Sequence, residues 1–227
     1  MSKLKNLRYE RKFVISELHS YEIENLIKHH PAMFSEIFYE RRVNNIYLDS
    51  MGRENYQEHL AGASQRLKIR IRWYGKVFGI IKNPILELKI KKNELGKKSF
   101  FQLKPFILDK DFSVKLLQKV FLKSDLPKWL IEKLRLYHPT LLNSYKRKYF
   151  ISFDKKHRIT LDKNQIFFKI KDIGNSFKER IANNDSCVLE VKYSLKDYKK
   201  AANIMQKFPF RLTANSKYLS GIDLFDI

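Results

Sequence analysis

A single cysteine, Cys187, stands among 227 residues, so no disulfide can close within the chain and no cysteine-built zinc site can form. It precedes the apolar run Val188-Leu189 with no basic partner nearby, and reads as a buried, inert thiol. No run approaches the roughly 20 apolar residues of a membrane span. The amino-terminal stretch is charged at Lys3, Lys5 and Arg8 and shows no apolar signal segment, so the expectation is a soluble, cytoplasmic protein. Linkers, internal repeats and low-complexity tracts are missing as well. Acid is the other shortage: 24 Asp and Glu against 46 Lys and Arg leave a net charge of +22. Charge of that size does not specify a fold but selects partners, namely nucleic acid, anionic membrane, nucleotides or polyphosphate. Part of the excess belongs to diffuse surface lysine in a chain rich in Lys, Ile, Asn and Phe. A hydrophobic content of 44% with 14% aromatics is globular, and the length suffices for a sizeable core in one domain over 1–227.

What the chain does have is charge on alternate residues. In Arg66-Leu67-Lys68-Ile69-Arg70-Ile71-Arg72-Trp73 every even position is cationic and every odd one apolar. Leu86-Glu87-Leu88-Lys89-Ile90-Lys91 and Leu189-Glu190-Val191-Lys192-Tyr193 repeat the pattern, and Arg8-Tyr9-Glu10-Arg11-Lys12-Phe13 follows it less cleanly. Successive strand side chains point to opposite faces, so each stretch is a strand with one charged and one apolar face. Several such strands, three of them carrying a Glu, suggest a sheet whose charged faces converge. Closed into a barrel they would line a positive tunnel holding a few carboxylates, suited to a polyanion and a divalent metal.

The remaining pattern predicts an α+β domain built on an antiparallel sheet of about eight strands. A first strand covers 7–15, followed by a helix over 17–29 with Ser16 as N-cap. Strands are expected over 37–49, 65–74 and 85–92, with Glu94-Leu95-Gly96 closing the last. Val114, Leu117, Val120 and Phe121, then Leu130, Ile131, Leu134 and Tyr137, predict two helices within 112–137, broken at Pro127 and covering the outside of the barrel. Strands follow over 144–153, 156–162, 165–170 and 187–194, then a helix from Leu195 to Lys207. Arg211–Tyr218 reads as a strand or loop, and Phe225 as a docking residue. His29-His30 reads as an exposed helix end, Lys146 and Lys148 as surface or steering cations, and Tyr47 and Tyr149 as packing residues with hydroxyls at a rim.

Eight pieces, taken in order, resemble one family. They are Tyr9-Glu10-Arg11-Lys12-Phe13, Asn45-Ile46-Tyr47-Leu48-Asp49-Ser50, Arg66 through Gly75 ending in Arg70-Ile71-Arg72-Trp73-Tyr74-Gly75, and Leu86-Glu87-Leu88-Lys89. The others are Tyr145-Lys146-Arg147-Lys148-Tyr149-Phe150, Arg158-Ile159-Thr160-Leu161-Asp162, Leu189-Glu190-Val191-Lys192-Tyr193 and Asn215-Ser216-Lys217-Tyr218-Leu219. Together they resemble the VTC domain, the polyphosphate-polymerase branch of the triphosphate tunnel metalloenzymes, a CYTH-like superfamily. The resemblance implies an eight-stranded antiparallel β-barrel tunnel with helices outside. It also implies a metal-dependent phosphotransferase that moves the γ-phosphoryl group of ATP, or another nucleoside triphosphate, onto polyphosphate. On the matching positions Lys12, Arg70, Arg72, Lys89, Arg147, Arg158 and Lys217 would bind phosphate, and Glu190 would hold Mn²⁺ or Mg²⁺. Glu87 and Glu10 are candidate helpers in metal binding, and Arg8, Arg66, Lys68, Lys91 and Lys192 candidate substrate-binding cations. Tunnel triphosphatases often open with Glu-x-Glu-x-Lys, where this chain has Arg8-Tyr9-Glu10-Arg11-Lys12. That change removes a carboxylate and shifts weight from hydrolysis toward transfer.

Guanidinium groups suit such a site because their fork-shaped donors match phosphate oxygens. Arg70 and Arg72, two residues apart on one strand face, lie roughly 6.5–7 Å from each other, near the spacing of neighbouring phosphates. A cationic track from Lys12 through Arg66 and Lys68 to Lys217 could guide a growing chain. Two other readings use the same residues: a metal-dependent triphosphatase acting on tripolyphosphate or a nucleotide, and a non-enzymatic binder of polyphosphate or nucleic acid. Nucleic acid fits less well, since the cations follow strand alternation and no aromatics interleave with them as stacking platforms. The family's eukaryotic polymerases also carry membrane spans, absent from this chain, so any membrane coupling would need a membrane-protein partner.

Overall fold

The computed structural model describes residues 8–92 and 95–225. Six helices and eleven strands are present among them. In chain order the first elements are β1 (Arg8–Ile15), α1 (Ser20–Lys28), β2 (Ser35–Ser50), α2 (Glu54–Leu60), β3 (Gln65–Tyr74), β4 (Gly79–Ile81), β5 (Ile85–Lys92) and β6 (Leu95–Gln102). They are followed by β7 (Phe106–Leu108), α3 (Val114–Lys123), α4 (Lys128–Leu134), β8 (Tyr137–Ile151), β9 (Arg158–Lys169), β10 (Arg180–Asn183), β11 (Cys187–Ser194), α5 (Tyr198–Gln206) and α6 (Lys217–Asp223). Eight strands form one path in the order β1-β11-β9-β8-β2-β3-β5-β6, with β10 added on β9, while β4 and β7 pair separately. This is the expected mixed α+β architecture on a large antiparallel sheet, and no helix among the described residues is long and apolar enough to cross a membrane. The chain divides into two compact units, one from residues 8–41, 145–165 and 183–215, the other from 42–144, 166–182 and 216–225.

In the first unit β1 pairs antiparallel with β11, and β11 with β9, placing Lys12 opposite Glu190 and Glu190 opposite Thr160. The other face of these strands carries Phe13, Ile15, Ile159, Leu161, Leu189 and Val191, which join Ile23 and Ile27 of α1 and Ala201 and Ile204 of α5 in one buried cluster. Cys187 lies in that cluster, and burial pushes its thiol up to about 11, which makes it the inert thiol expected. Helix α1 starts later than predicted, capped at His19 rather than Ser16, because the His19 backbone N–H finds Glu22 Oε2 at 2.7 Å.

In the second unit β3 pairs with β2 and β5, and β5 with β6, all antiparallel. Ile69, Ile71, Leu86 and Leu88 pack in a buried cluster with Leu117, Val120 and Phe121 of α3 and Leu130 and Leu134 of α4, so the two predicted helices do cover the apolar side of the cationic strand. Ser113 caps α3, its hydroxyl accepting from the Leu116 N–H. Helix α4 ends before Tyr137, which opens β8; that strand begins seven residues before the predicted start because Leu141, Leu142, Asn143, Ser144 and Tyr145 are all buried and show no alternation. The strands predicted over 156–162 and 165–170 are one, β9. Residues 211–216 form a loop, as one alternative had it, but Lys217–Asp223 is a helix. Phe225 docks beside Tyr47, Leu141, Phe167, Tyr218 and Ile222.

His30 is a further correction. Only His29 is exposed; His30 is buried, stacked on Phe208 with ring centroids 4.7 Å apart. Its Nδ1 accepts from the Ala32 N–H at 3.0 Å while Nε2 lies 3.1 Å from the Ile204 carbonyl, a pattern that suits the neutral ring. Burial holds this imidazole below its ordinary pKa. The unfolded chain therefore binds a proton that the folded chain refuses, below a pH of about 6.5. The stabilisation is complete above that pH and is lost progressively as pH falls below it. Urea midpoints measured from pH 7.5 to pH 5 should fall, and His30→Gln should flatten part of that slope. Identical slopes in both proteins would remove His30 from the account.

Candidate functional site

The polar side of the second unit's sheet is built on β3. Pairing sets Arg70 opposite Tyr47 on one side and Glu87 on the other, and Arg72 opposite Asn45. The Arg70 guanidinium clasps Glu87, with Nε and Nη2 at 2.7 and 2.5 Å from Oε2, while Arg72 Nη1 reaches Oε1 at 3.4 Å. Arg72 Nε donates to Asn45 Oδ1 at 2.9 Å. One carboxylate thus ties together two of the predicted phosphate ligands. Burial alone would raise the Glu87 pKa, but Arg70, Arg72 and Lys98 outweigh it and hold the group below the usual carboxylate range. Further along the face Lys68 Nζ donates to Ser216 Oγ at 3.0 Å, just before Lys217 at the start of α6. Lys89 stands opposite Lys68, and Arg66 is half-buried on the same side. The side chains of Arg8 and Lys91 lie outside the described residues.

The first unit carries the other group. Lys12, Glu190 and Thr160 form a row across β1, β11 and β9, with Glu10, Lys192 and Arg158 in the next row. Glu190 is only 8% exposed. Its Oε2 lies 3.4 Å from Lys192 Nζ and 4.0 Å from Arg147 Nη2. Burial and the charge of Glu10 push its pKa up, but Lys192, Lys12 and Arg147 prevail and keep it low. Lys12 Nζ donates to the Asn215 carbonyl at 2.9 Å, and Arg158 is exposed. The Thr160 hydroxyl is buried without a hydrogen-bond partner.

Asp162 stands beside Arg147 in this group, and the sequence reading gave it no role. It takes a bidentate bond from Arg147, Nε to Oδ1 at 2.5 Å and Nη2 to Oδ2 at 2.7 Å. Desolvation works against the charged guanidinium, yet the Asp162 carboxylate and the Tyr145 ring, 5.2 Å beneath it, raise its pKa further. The available signal was the spacing Arg158-x-Thr160-x-Asp162, which puts all three on one strand face. Lys146 and Lys148 do alternate away from Arg147, and both pair with carboxylates. Lys148 binds Glu24 at 2.7 Å and Lys146 binds Glu40 at 3.3 Å, with Lys163 at 3.0 Å from both carboxylates. Tyr47 is buried and stacks on Tyr218, whereas half-buried Tyr149 meets Phe38 edge-on.

Residues 7–225 match the VTC domain. The chain belongs to the VTC domain family. A comparison with curated protein sequences finds no match. Among solved structures, a candidate adenylate cyclase from Vibrio parahaemolyticus is similar at a TM-score of 0.51 and 12% identity, over 93% of this chain and 95% of that one. A protein from Pyrococcus horikoshii gives a TM-score of 0.51 at 14% identity over 96% and 98%. At these identities the likeness concerns the fold, and the VTC domain shares it from end to end.

Arg147 and Asp162 yield a stability test within this VTC domain. Asp162→Ala leaves a buried guanidinium without its carboxylate and should cost about 3–5 kcal/mol in urea unfolding. Removing both charges in Arg147→Met/Asp162→Leu should cost less than the single change. A loss below about 1 kcal/mol in Asp162→Ala would show that Glu190 or water takes over the pairing.

Proposed function

We propose that this VTC domain handles phosphoryl groups, transferring the γ-phosphoryl of ATP onto the end of a polyphosphate chain. The observation that carries this reading is the family membership joined to two sheet faces of cations held by a few carboxylates. In the reaction a terminal oxygen of the chain attacks the γ-phosphorus, the bond from that phosphorus to the β,γ-bridging oxygen breaks, and ADP departs. The chain gains one phosphate. Such transfer needs positioning and charge compensation more than covalent chemistry. Arg70 and Arg72 suit the grip on phosphate oxygens, with Lys68, Lys89, Arg66 and Lys217 adding charge on the same unit. Lys12, Arg147, Arg158 and Lys192 serve likewise on the other.

Glu190 and Glu10 fit a hard divalent cation such as Mg²⁺ or Mn²⁺. They sit diagonally on neighbouring strands, both contribute oxygens, and Glu190 is ionised and nearly buried. No three His, Cys, Asp or Glu side chains gather to hold a metal among the described residues, so phosphate and water oxygens would fill the remaining positions, as such ions allow. Held by Glu190 and Glu10, such an ion would supply positive charge that offsets the charge on phosphate. Glu87 is committed to Arg70 and Arg72, which favours a role in orienting those two arginines.

Incubation with ATP, Mn²⁺ and a polyphosphate primer should give a ladder of longer chains on a gel, with ADP formed in step. Glu190→Gln should abolish the ladder while the chain still folds, with a lowered unfolding midpoint because Lys192, Lys12 and Arg147 lose a shared counter-charge. Free phosphate stoichiometric with ATP and no ladder would make the protein a triphosphatase, and neither product a binding module. Arg70→Ala should weaken tripolyphosphate binding by about 1.5–3 kcal/mol, the scale of a charge-assisted hydrogen bond. Arg70→Lys should restore only part of it, because an ammonium lacks the fork; full recovery would reduce Arg70 to a point charge.

A further inference from the structure

Asp49 is fully buried and accepts four hydrogen bonds. Its Oδ1 takes the Ser50 and Asn55 N–H groups at 2.8 and 3.0 Å. Its Oδ2 takes the Tyr56 N–H at 3.0 Å and the Tyr218 hydroxyl at 2.5 Å. The first three bonds are local, joining the end of β2 to the first turn of α2. The fourth reaches across 169 residues to α6. We propose that this bond makes Asp49 and Tyr218 positioning residues, a latch that holds α6 so that Lys217 and Ser216 stand on the polar face of β3. The inference rests on the reading of Lys217 as a phosphate ligand.

Three further contacts point the same way. The Tyr218 ring stacks on Tyr47 at 5.2 Å, and Tyr47 is the β2 residue directly opposite Arg70. Ser216, one residue before α6, takes Lys68 at 3.0 Å, tying the helix start to the cationic row. On the same buried face of α6 as Tyr218, Gly221 lies so close to β8 and β9 that an added Cβ would meet Leu141 Cδ2 at 2.3 Å and Phe167 Cδ1 at 2.7 Å. The glycine is in ordinary helical backbone, so only the close approach requires it. Helix α6 has just seven residues, too few to persist without anchoring. With the Tyr218 hydroxyl on Asp49, Gly221 against β8 and β9 and the Tyr56 hydroxyl on Asp223 at 2.6 Å, this short helix places its first residue at a set point. Tyr218 has no need to touch substrate.

The test uses the full chain and polyphosphate of defined length, with affinity measured across a salt series for Lys217→Ala, Tyr218→Phe and the double variant. Tyr218→Phe keeps the ring and its stack on Tyr47 but loses the bond to Asp49. It should weaken binding several-fold and lower the slope of log affinity against log salt by about one ion, as Lys217→Ala does. In the Lys217→Ala background it should add almost nothing. A general loosening of the fold would leave the salt slope alone and add fully in the double variant, and that result overturns the latch. Lys217→Ala binding like the unmodified chain would instead sink the reading of Lys217 as a ligand, and the latch with it. Gly221→Ala, measured in the same two backgrounds, repeats the test through the second anchor should Tyr218→Phe fail to fold.

Discussion

Cations placed on alternate residues of neighbouring strands repel one another, and the packing behind them holds only if that repulsion is met. Arg66, Lys68, Arg70 and Arg72 share one face of β3, and Lys89 faces Lys68 across the ladder. Like charges directly opposite each other destabilise a sheet. Two things offset this. The apolar face behind the row buries Ile69, Ile71, Leu86 and Leu88 against helices α3 and α4; each fully buried aliphatic side chain contributes about 1.5–3 kcal/mol. In front, Glu87 lies between Arg70 and Arg72. The first unit repeats the arrangement, with Asp162 on Arg147 and Glu190 beside Lys192.

That constraint explains how much of the fold could be read in advance. Where one face is buried and the other charged, period-two alternation is unbroken, and β3, β5 and β11 fall at the predicted positions. It fails for β8, whose middle is buried on both faces, so that Leu141 to Tyr145 give no alternating signal. Helix α6 was missed for a related reason. Its seven residues carry Gly221 in the middle, and glycine at that place reads as a break although here it permits close packing. Of the candidate site, the cations were legible as a set because alternation names a face. Asp162 was not, because which carboxylate meets which guanidinium depends on cross-strand register, and register is not written in the spacing within one strand.

His30 shows the same limit on a smaller scale. The pair His29-His30 before Pro31 looks like a solvated helix end, and His29 is one. The neighbouring ring is drawn inward by Phe208 and by a carbonyl of α5, contacts that come from nearly 180 residues away. Local sequence carries no record of them.

Arginine and lysine meet their partners differently on these sheet faces. Arg70, Arg72 and Arg147 each meet a carboxylate, and Lys12 and Lys68 each donate to a neutral oxygen, the Asn215 carbonyl and the Ser216 hydroxyl. A guanidinium has five N–H donors in one plane and can keep a carboxylate on one edge while presenting another edge to an anion. An ammonium is a point charge, and a carboxylate close against it would cancel most of its pull on phosphate. Arginine therefore suits positions where the sheet needs local neutralisation before any substrate arrives. A lysine directed by a neutral oxygen, as Lys12 and Lys68 are, adds charge without that planar fit. Lys192, 3.4 Å from Glu190, instead shares a carboxylate, as Lys148 and Lys163 do with Glu24.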